Sequence, residues 1–154
     1  MDIQFIPVTA QNYDQIMRLQ VKESQKGFIE NVQQCLQEAE QLSLWRPVGI
    51  YVDQRLIGFA MYGLWEKEGE NGRVWMDRFL IDWKQQGKGY ASACFPSLME
   101  RIKKEYGCGK VYLSVIEQNK TAVHLYQKYG FRFNGETDIH GEKVMVWEKP
   151  PADQ

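Results

Sequence analysis

The feature that most constrains the fold of this chain is a glycine-containing segment, Gln86-Gly87-Lys88-Gly89-Tyr90-Ala91. It lies between a strand-like stretch, residues 74–81, and an amphipathic helix-like stretch, residues 92–106. A strand, a tight turn and a helix N-terminus place several free backbone N–H groups at the positive end of the helix dipole. That arrangement binds phosphate, and glycine lets the ligand approach the main chain and tolerates a positive φ.

The length and composition indicate one folded domain. A chain of 154 residues can bury most of its apolar surface without disulfides or metals. Hydrophobic residues make up 44% and charged residues 25% of the sequence, which argues against disorder. We predict a single domain over residues 1–149, followed by a flexible tail over residues 150–154 that starts with two prolines.

The charge and the cysteines limit the partners and the compartment. A net charge of -1 gives no sign of a nucleic-acid or anionic-membrane partner. Neither a membrane span nor the basic start of a signal peptide is visible in the sequence. Cys35, Cys94 and Cys108 are odd in number and lack metal-ligand or redox spacing. We therefore expect reduced thiols, a cytoplasmic location and no bound metal.

Strand-like and helix-like segments alternate along the chain. The predicted strands are residues 3–8, 48–52, 56–64, 74–81, 110–116, 131–139 and 143–148. The predicted helices are residues 9–21 with Thr9 as the N-cap, 28–42, 92–106 and 121–129. This order predicts a mixed α/β (α+β) sheet.

The glycine segment alone leaves several interpretations open. The dinucleotide fingerprint requires a third glycine where this chain has Ser92, and it belongs near the start of a βαβ unit. The Walker pattern requires a first glycine, four intervening residues, a Gly-Lys pair and then a Ser or Thr, which Gly87-Lys88-Gly89 does not supply. A simple tight turn without a ligand is a further alternative.

A second motif decides between these alternatives. About 30 residues after the glycines, Asn119 precedes the helix predicted at residues 121–129. Taken together, Gln86-x-x-Gly89-x-Ala91 and Asn119-(x)6-Tyr126-(x)3-Gly130-Phe131 resemble the acetyl-CoA signature of the GNAT N-acetyltransferases. The resemblance implies the GNAT acyl-CoA N-acyltransferase fold, a mixed and mostly antiparallel sheet of six to seven strands flanked by about four helices.

Further segments are similar to the bacterial spermine/spermidine acetyltransferases. They are Pro47 to Tyr51, Gly58 to Gly63, Gly72 to Phe79, Phe133 to Glu136 and Gly141 to Val146. This likeness implies a small-molecule polyamine such as spermidine or spermine as the acetyl acceptor. Two alternatives stay open: a GNAT enzyme for another amine (a protein N-terminus, an amino acid or an aminoglycoside), and a non-catalytic acyl-CoA-binding sensor.

The resemblance implies acetyl-CoA as the co-substrate. In the family, the glycine turn binds the pyrophosphate, and the splayed central strand pairs with the pantetheine amides. The residues to which this role falls are Phe79, Leu80, Ile81, Gln86, Gly87, Lys88, Gly89, Tyr90, Ala91, Ser92, Asn119 and Tyr126. Lys88 is alternatively a solvated surface lysine, and Asn119 is alternatively, or in addition, an N-cap.

Direct acetyl transfer needs an oxyanion donor and an acid. A neutral amine attacks the thioester carbonyl, and the thiolate leaves the tetrahedral intermediate. In this family the oxyanion donor is usually a backbone N–H of the central strand, here around Phe79 or Leu80. Tyr126 stands where the family has its general acid. The competing interpretation of Tyr126 is an aromatic side chain on the core face of its helix.

The general base is less well defined. Asp77 is expected on the same strand face as Trp75 and Phe79, and an aspartate inside a sheet is costly unless it is paired or functional. Asp77 is therefore a candidate catalytic base, or a partner of Arg78 or Arg73. A water relay is a further alternative.

A polyamine acceptor calls for carboxylates around its ammonium groups. The candidate substrate-binding residues are Glu30, Asp77 and Glu117. Glu30 begins the second predicted helix and resembles the corresponding acid of the polyamine enzymes, although most helix glutamates form a solvated face. A homodimer is also expected, because the family commonly dimerises.

Overall fold

One seven-stranded sheet forms the centre of the computed structural model, which describes residues 1–27 and 31–151. The strands are β1 (Ile3–Pro7), β2 (Trp45–Val52), β3 (Arg55–Trp65), β4 (Arg73–Ile81), β5 (Lys110–Val115), β6 (Arg132–Thr137) and β7 (Lys143–Glu148). Their order in space is β1-β2-β3-β4-β5-β7-β6. Neighbouring strands are antiparallel except β4 and β5, which are parallel. The predicted mixed, mostly antiparallel sheet is thus confirmed.

In the described residues, four α-helices cover the two faces of this sheet. They are α1 (Tyr13–Met17), α2 (Val32–Gln41), α3 (Tyr90–Tyr106) and α4 (Lys120–Tyr129). Helices α3 and α4 pack on one face around Phe95, which is fully buried. Helices α1 and α2 pack on the other face through Ile16 and Leu36. Within residues 1–27 and 31–151, no helix has the length and apolar character that a bilayer span requires.

The first helix is much shorter than the predicted residues 9–21, and Thr9 is not its N-cap. Asn12 occupies that position, and its Oδ1 accepts from the Thr9 N–H at 2.8 Å. Further along, the Gln20 N–H donates to Asp82 Oδ1 at 3.1 Å, and the Gln20 carbonyl accepts from the Trp83 N–H at 2.7 Å. These bonds to a distant segment replace the bonds that a longer helix would make.

The second helix begins at Val32 rather than at the predicted residue 28. Asn31 is its N-cap, because Asn31 Oδ1 accepts from the Gln34 N–H at 2.8 Å. Residues 28–30 lie outside the described residues. The hairpin between β2 and β3 is a two-residue turn in which Asp53 and Gln54 have φ of 48° and 69°, the conformation of a type I′ turn.

A β-bulge at Asp77 divides β4 into two halves. Met61 of β3 pairs with Arg78 and Tyr62 pairs with Met76, so Asp77 is the extra residue of the bulged strand. A bulge of one residue reverses the alternation of side chains between the two faces.

The bulge overturns the expectation that Asp77, Trp75 and Phe79 share one face. Trp75 packs on the side of α1 and α2, whereas Phe79 packs against Phe95 of α3 with ring centroids 5.4 Å apart. The strand leaves the bulge with Phe79 and Ile81 on the α3 side and Leu80 on the α1–α2 side. Strict period-two alternation could not predict this switch.

Candidate active site

The parallel neighbours β4 and β5 separate towards their carboxyl ends. In the described part of the chain they pair at a single position, Trp75 with Tyr112. Beyond it, Phe79 and Ile81 of β4 still pair with Ala60 and Gly58 of β3. The other edge of this half of β4 therefore borders an opening in the sheet rather than a neighbouring strand.

A cleft of about 470 Å³ occupies this opening. We call it the α3–α4 cleft, because it lies between the end of β4, the start of α3 and one face of α4. Its walls include Phe79, Leu80, Ile81, Gln86, Gly87, Gly89, Tyr90, Ala91, Ser92, Asn119 and Tyr126. The structure thus brings together residues that lie 47 positions apart in the sequence, from Phe79 to Tyr126.

The N-terminus of α3 presents free backbone amides to this cleft. Gly89 is the N-cap residue with φ of 83°, and no side chain of the described residues caps the helix. The Ala93 N–H donates to the Gly89 carbonyl at 3.2 Å, so the N–H groups of residues 90–92 precede the first intrahelical donor and have no acceptor within the helix. A Cβ at Gly87 or Gly89 would meet no atom within 4 Å. The space and the amides fit a phosphate group.

Two side chains of the turn have partners within the protein. The Gln86 Nε2 donates to the Ile81 carbonyl at 2.9 Å and to Gln25 Oε1 at 3.1 Å. Lys88 is exposed and is not among the described residues that line the α3–α4 cleft. Its Nζ donates to Gln85 Oε1 at 3.2 Å. The phosphate contact of Lys88 stays a prediction.

Tyr126 lies in the wall of the cleft with 8% of its surface exposed. Its ring packs 5.2 Å from that of Phe95, centroid to centroid. Burial raises the pKa of Tyr126 to about 12, although the positive charge of Arg78 lowers it in part. The phenol is therefore protonated at neutral pH, and it is a proton donor rather than a base.

Asn119 is the N-cap of α4. Its Oδ1 accepts from the Ala122 N–H at 3.4 Å, which confirms the capping role. At the other end of α4, Gly130 with φ of 119° ends the helix, and the Phe131 N–H donates to the Tyr126 carbonyl at 3.0 Å. The Gly-Phe pair of the motif thus ends the helix that carries Tyr126.

A second cleft, of about 540 Å³, lies on the side of α2. We call it the hairpin cleft, because the turn between β6 and β7 forms one wall. Among the described residues, its charged lining comprises two carboxylates, Glu117 and Glu142, and two cations, Arg78 and Lys143. Glu117 is exposed at the end of β5.

Glu142 was not recognised from the sequence. Its N–H donates to Asp138 Oδ1 at 2.8 Å, which holds the turn between β6 and β7. Burial and then the negative charge of Asp138 raise the pKa of Glu142. The only local signal is an acid beside His140-Gly141 in a predicted hairpin turn, and this signal does not indicate a cleft.

A smaller cleft of about 250 Å³ joins the other two, and we call it the connecting cleft. It shares Val21 and Leu80 with the α3–α4 cleft and Gln34 with the hairpin cleft. Leu80 therefore lies where the α3–α4 cleft borders the connecting cleft, and Gln34 lies where the connecting cleft borders the hairpin cleft.

Asp77 forms an ion pair with Arg78, which is one of the two interpretations of this residue from the sequence. Its Oδ2 lies 3.8 Å from Nη2 of Arg78, whereas Arg73 pairs with Glu136 at 2.9 Å. Asp77 is not among the residues that line the described clefts, so its role as a base stays a prediction. Glu30 lies outside the described residues.

Sequence reasoning also missed several residues of the α3–α4 cleft. Thr121, His124 and Lys128 line it from one face of α4, and their spacing of three and four residues is the signal that could have found them. Val21 and Gln25 line it from the segment after α1. No local sequence pattern predicts that Val21 and Gln25 line the cleft, because tertiary contacts bring them there.

The chain belongs to a known family. Residues 13–131 match the model described as the Acetyltransferase (GNAT) family. The chain is 44% identical over 151 residues to a spermine/spermidine N(1)-acetyltransferase of Bacillus subtilis strain 168, with 96% of this chain and 99% of the relative covered.

Solved structures share the fold. A spermidine N-acetyltransferase from Vibrio cholerae, in complex with CoA and spermine, superposes with a TM-score of 0.71 at 18% identity, covering 96% of this chain and 95% of the other. An aminoglycoside acetyltransferase, AAC(6')-Ib in complex with coenzyme A, superposes with a TM-score of 0.78 at 18% identity over the same shares. These likenesses show the GNAT fold.

Proposed function

We propose that this protein is an N-acetyltransferase that moves the acetyl group of acetyl-CoA to a primary amine of a polyamine such as spermidine or spermine. The observation that carries this proposal is that the connecting cleft shares lining residues with both larger clefts, Leu80 with one and Gln34 with the other. One cleft has an anion-binding helix N-terminus, and the other has carboxylates. The relative at 44% identity, which covers nearly the whole chain, supports the polyamine acceptor.

The α3–α4 cleft is the proposed acetyl-CoA site. The amides of residues 87–92 would hold the pyrophosphate, since two positive-φ glycines leave the space beside them open. The free edge of β4 at residues 79–81 would hydrogen-bond the pantetheine arm. This path directs the thioester to Leu80, beside the connecting cleft.

Three groups of the chain then have defined tasks. The Leu80 or Phe79 N–H stabilises the developing oxyanion, because a backbone donor at a free strand edge needs no reorganisation. Tyr126 donates its proton to the leaving thiolate, and its raised pKa keeps that proton in place until the thiolate forms. Glu117, Asp77 or a water accepts the proton of the substrate ammonium.

The hairpin cleft is the proposed amine site. Glu117 and Glu142 each offer a carboxylate to an ammonium group, and Arg78 lines the same cleft with its Nη2 3.8 Å from Asp77 Oδ2. Burial and Asp138 raise the pKa of Glu142 more than the charges of Arg78 and His140 lower it, and an ammonium beside Glu142 would lower that pKa further. Glu30 is a further proposed contact.

We also propose a cytoplasmic location and a single domain that acts as a homodimer. The free thiols Cys35, Cys94 and Cys108 support a reducing compartment. Burial raises the pKa of Cys94 to about 11, so this thiol resists oxidation and alkylation.

An acceptor screen that follows the release of free CoA tests the proposal. The amines are spermidine, spermine, a simple alkylamine, an aminoglycoside and a peptide with a free N-terminus. We expect the highest kcat/KM for the polyamines at low ionic strength and a loss of this preference at high salt. A higher kcat/KM for another amine would reassign the acceptor, and no turnover with any amine would favour a sensor.

A further inference from the structure

The segment after α1 is tied to the glycine turn by hydrogen bonds that the catalytic scheme does not use. Residues 19–21 and Lys26 line the connecting cleft, where the amine and the thioester would meet. Residues 82–89 form the turn that presents the phosphate site. These two segments are more than 50 residues apart in the sequence, and they lie side by side.

Three hydrogen bonds join them. The Trp83 N–H donates to the Gln20 carbonyl at 2.7 Å, and the Gln20 N–H donates to Asp82 Oδ1 at 3.1 Å. The third bond runs between side chains, from Gln86 Nε2 to Gln25 Oε1 at 3.1 Å. The first two bonds fix the base of the segment, and the third reaches its 3₁₀ helix, Glu23–Gln25.

Gln25 and Gln86 act as a relay between three elements. Gln86 also donates to the Ile81 carbonyl at 2.9 Å, at the end of the free half of β4. Gln25 Oε1 also accepts from the Lys22 N–H at 3.2 Å, which holds the 3₁₀ helix together. One pair of amides thus connects the thioester strand, the phosphate turn and the segment after α1, in which Gln25 lines the α3–α4 cleft and Val21 and Lys26 line the connecting cleft.

We propose that Gln25 is a positioning residue through which acetyl-CoA binding shapes the acceptor side of the active site. The proposal rests on the acetyl-CoA site proposed above, but not on the identity of the amine. A ligand that orders the turn at residues 86–89 stabilises Gln86 in its bonded position. Gln86 then holds Gln25 and the 3₁₀ helix against the connecting cleft. By linkage, a bound amine strengthens CoA binding by the same factor.

The geometry defines an unusually specific set of variants. Gln25 is an acceptor in both of its bonds, so Gln25→Glu keeps both, whereas Gln25→Leu has a similar shape and keeps neither. Gln25→Ala is a second loss variant with a smaller side chain. Ser24 is an exposed residue of the same 3₁₀ helix, so Ser24→Ala is the matched control.

Amide hydrogen exchange with and without saturating CoA tests the coupling without an acceptor. We expect CoA to slow exchange at residues 87–92 in every variant. At residues 20–26 it should slow exchange about fivefold or more in the wild type, Gln25→Glu and Ser24→Ala, and by less than about twofold in Gln25→Leu and Gln25→Ala. Equal protection of residues 20–26 in the loss variants, or none in the wild type, would overturn the proposal.

Kinetics separates a positioning role from simple destabilisation. Gln25→Leu should raise the amine KM by about three- to tenfold, the scale of one lost hydrogen bond, with kcat at saturation near the wild-type value. Gln25→Glu should restore the amine KM. A fall in kcat without a change in KM would overturn the coupling. Absence of CoA protection at residues 87–92 in the wild type would instead refute the acetyl-CoA site itself.

Discussion

The two larger clefts are built by different means. The central features of the α3–α4 cleft are backbone: a free strand edge, the amides of a helix N-terminus, and glycines whose φ values are 79° and 83° at Gly87 and Gly89. The hairpin cleft has charged side chains from three separate stretches of the chain, among them Arg78, Glu117 and Glu142. Among the described residues that line it, two carboxylates stand against two cations.

This difference teaches how the site divides its work. A backbone site is fixed once the fold forms, because its donors have no side-chain freedom to lose. A site of side chains can change its preference through single substitutions at little cost to the fold. We expect the α3–α4 cleft to determine which acyl donor binds and the hairpin cleft to determine which amine accepts the acyl group.

The largest effect should come from Tyr126, which lines the α3–α4 cleft. Tyr126→Phe keeps the ring and its packing on Phe95 and removes the proton donor. We expect kcat to fall roughly 10- to 10³-fold and the acetyl-CoA KM to stay near the wild-type value. Steady-state kinetics measures both constants. A wild-type kcat across the pH range would assign Tyr126 to the core alone.

The dependence of the wild-type kcat on pH also tests the role of Tyr126, because the direction of its pKa shift predicts where kcat falls. A general acid works only while it is protonated, and burial raises the pKa of Tyr126 from 10 to about 12. Deprotonation of Tyr126 removes the acid and lowers kcat at alkaline pH. Because the pKa of Tyr126 is raised, this fall in kcat occurs at a higher pH than it would for a tyrosine with the ordinary pKa of 10. We expect kcat to show no decline from Tyr126 below about pH 11.

The next effect tests whether the first cleft depends on backbone alone. Gly89→Val adds a side chain beside the phosphate amides and strains a residue with φ of 83°. We expect the CoA dissociation constant, measured by calorimetry, to rise about 10- to 100-fold, the loss of one or two charge-assisted hydrogen bonds. Unchanged CoA affinity in a folded Gly89→Val protein would remove the proposed phosphate site.

Gly107 provides a matched control at the other end of the same helix. It also has a positive φ, 58°, and a Cβ there would also meet no atom within 4 Å. Gly107→Val therefore introduces comparable strain, about 1–3 kcal/mol, far from the cleft. We expect both variants to lose similar stability and only Gly89→Val to lose CoA affinity.

A smaller effect tests the second cleft. Glu117→Gln and Glu142→Gln remove charge and keep shape, so each should raise the spermidine KM about three- to tenfold. The KM of a monoamine should change less, since a monoamine needs one carboxylate rather than two. The CoA dissociation constant should not change. An equal change in KM for spermidine and for the monoamine would show that the hairpin cleft does not distinguish amines by their number of charges.

The smallest effect is expected at Lys88. Its Nζ bonds Gln85 at the rim, and an exposed lysine gives a phosphate only a screened attraction. Lys88→Gln should raise the acetyl-CoA KM by less than about threefold. A tenfold rise that disappears at high salt would instead assign Lys88 to the phosphates.

The positions of the glycine turn and of these helix ends could be predicted from the sequence for a physical reason. A positive φ selects glycine at its own position, and a helix end selects its cap, so Gly89 and Asn119 carry their signals locally. The same holds for Gly130, which ends α4.

Features that depend on distant contacts could not be predicted in this way. Helix α1 is short because Gln20 bonds Asp82 and Trp83, which no local periodicity reports. The bulge at Asp77 depends on the register with β3. Glu142 enters the hairpin cleft because β7 lies between β5 and β6, which is a property of sheet order.

The single pairing between β4 and β5 also divides the molecule along its length. Every strand on one side of this seam precedes α3 in the chain, and every strand on the other side follows it. The seam is held by Trp75 and Tyr112, whose ring centroids lie 5.4 Å apart, and by Arg73 over the Tyr112 ring at 4.4 Å. The polypeptide therefore crosses from one block to the other once. Each block is therefore a continuous stretch of sequence, with its own strands paired to one another before the two blocks meet at Trp75 and Tyr112.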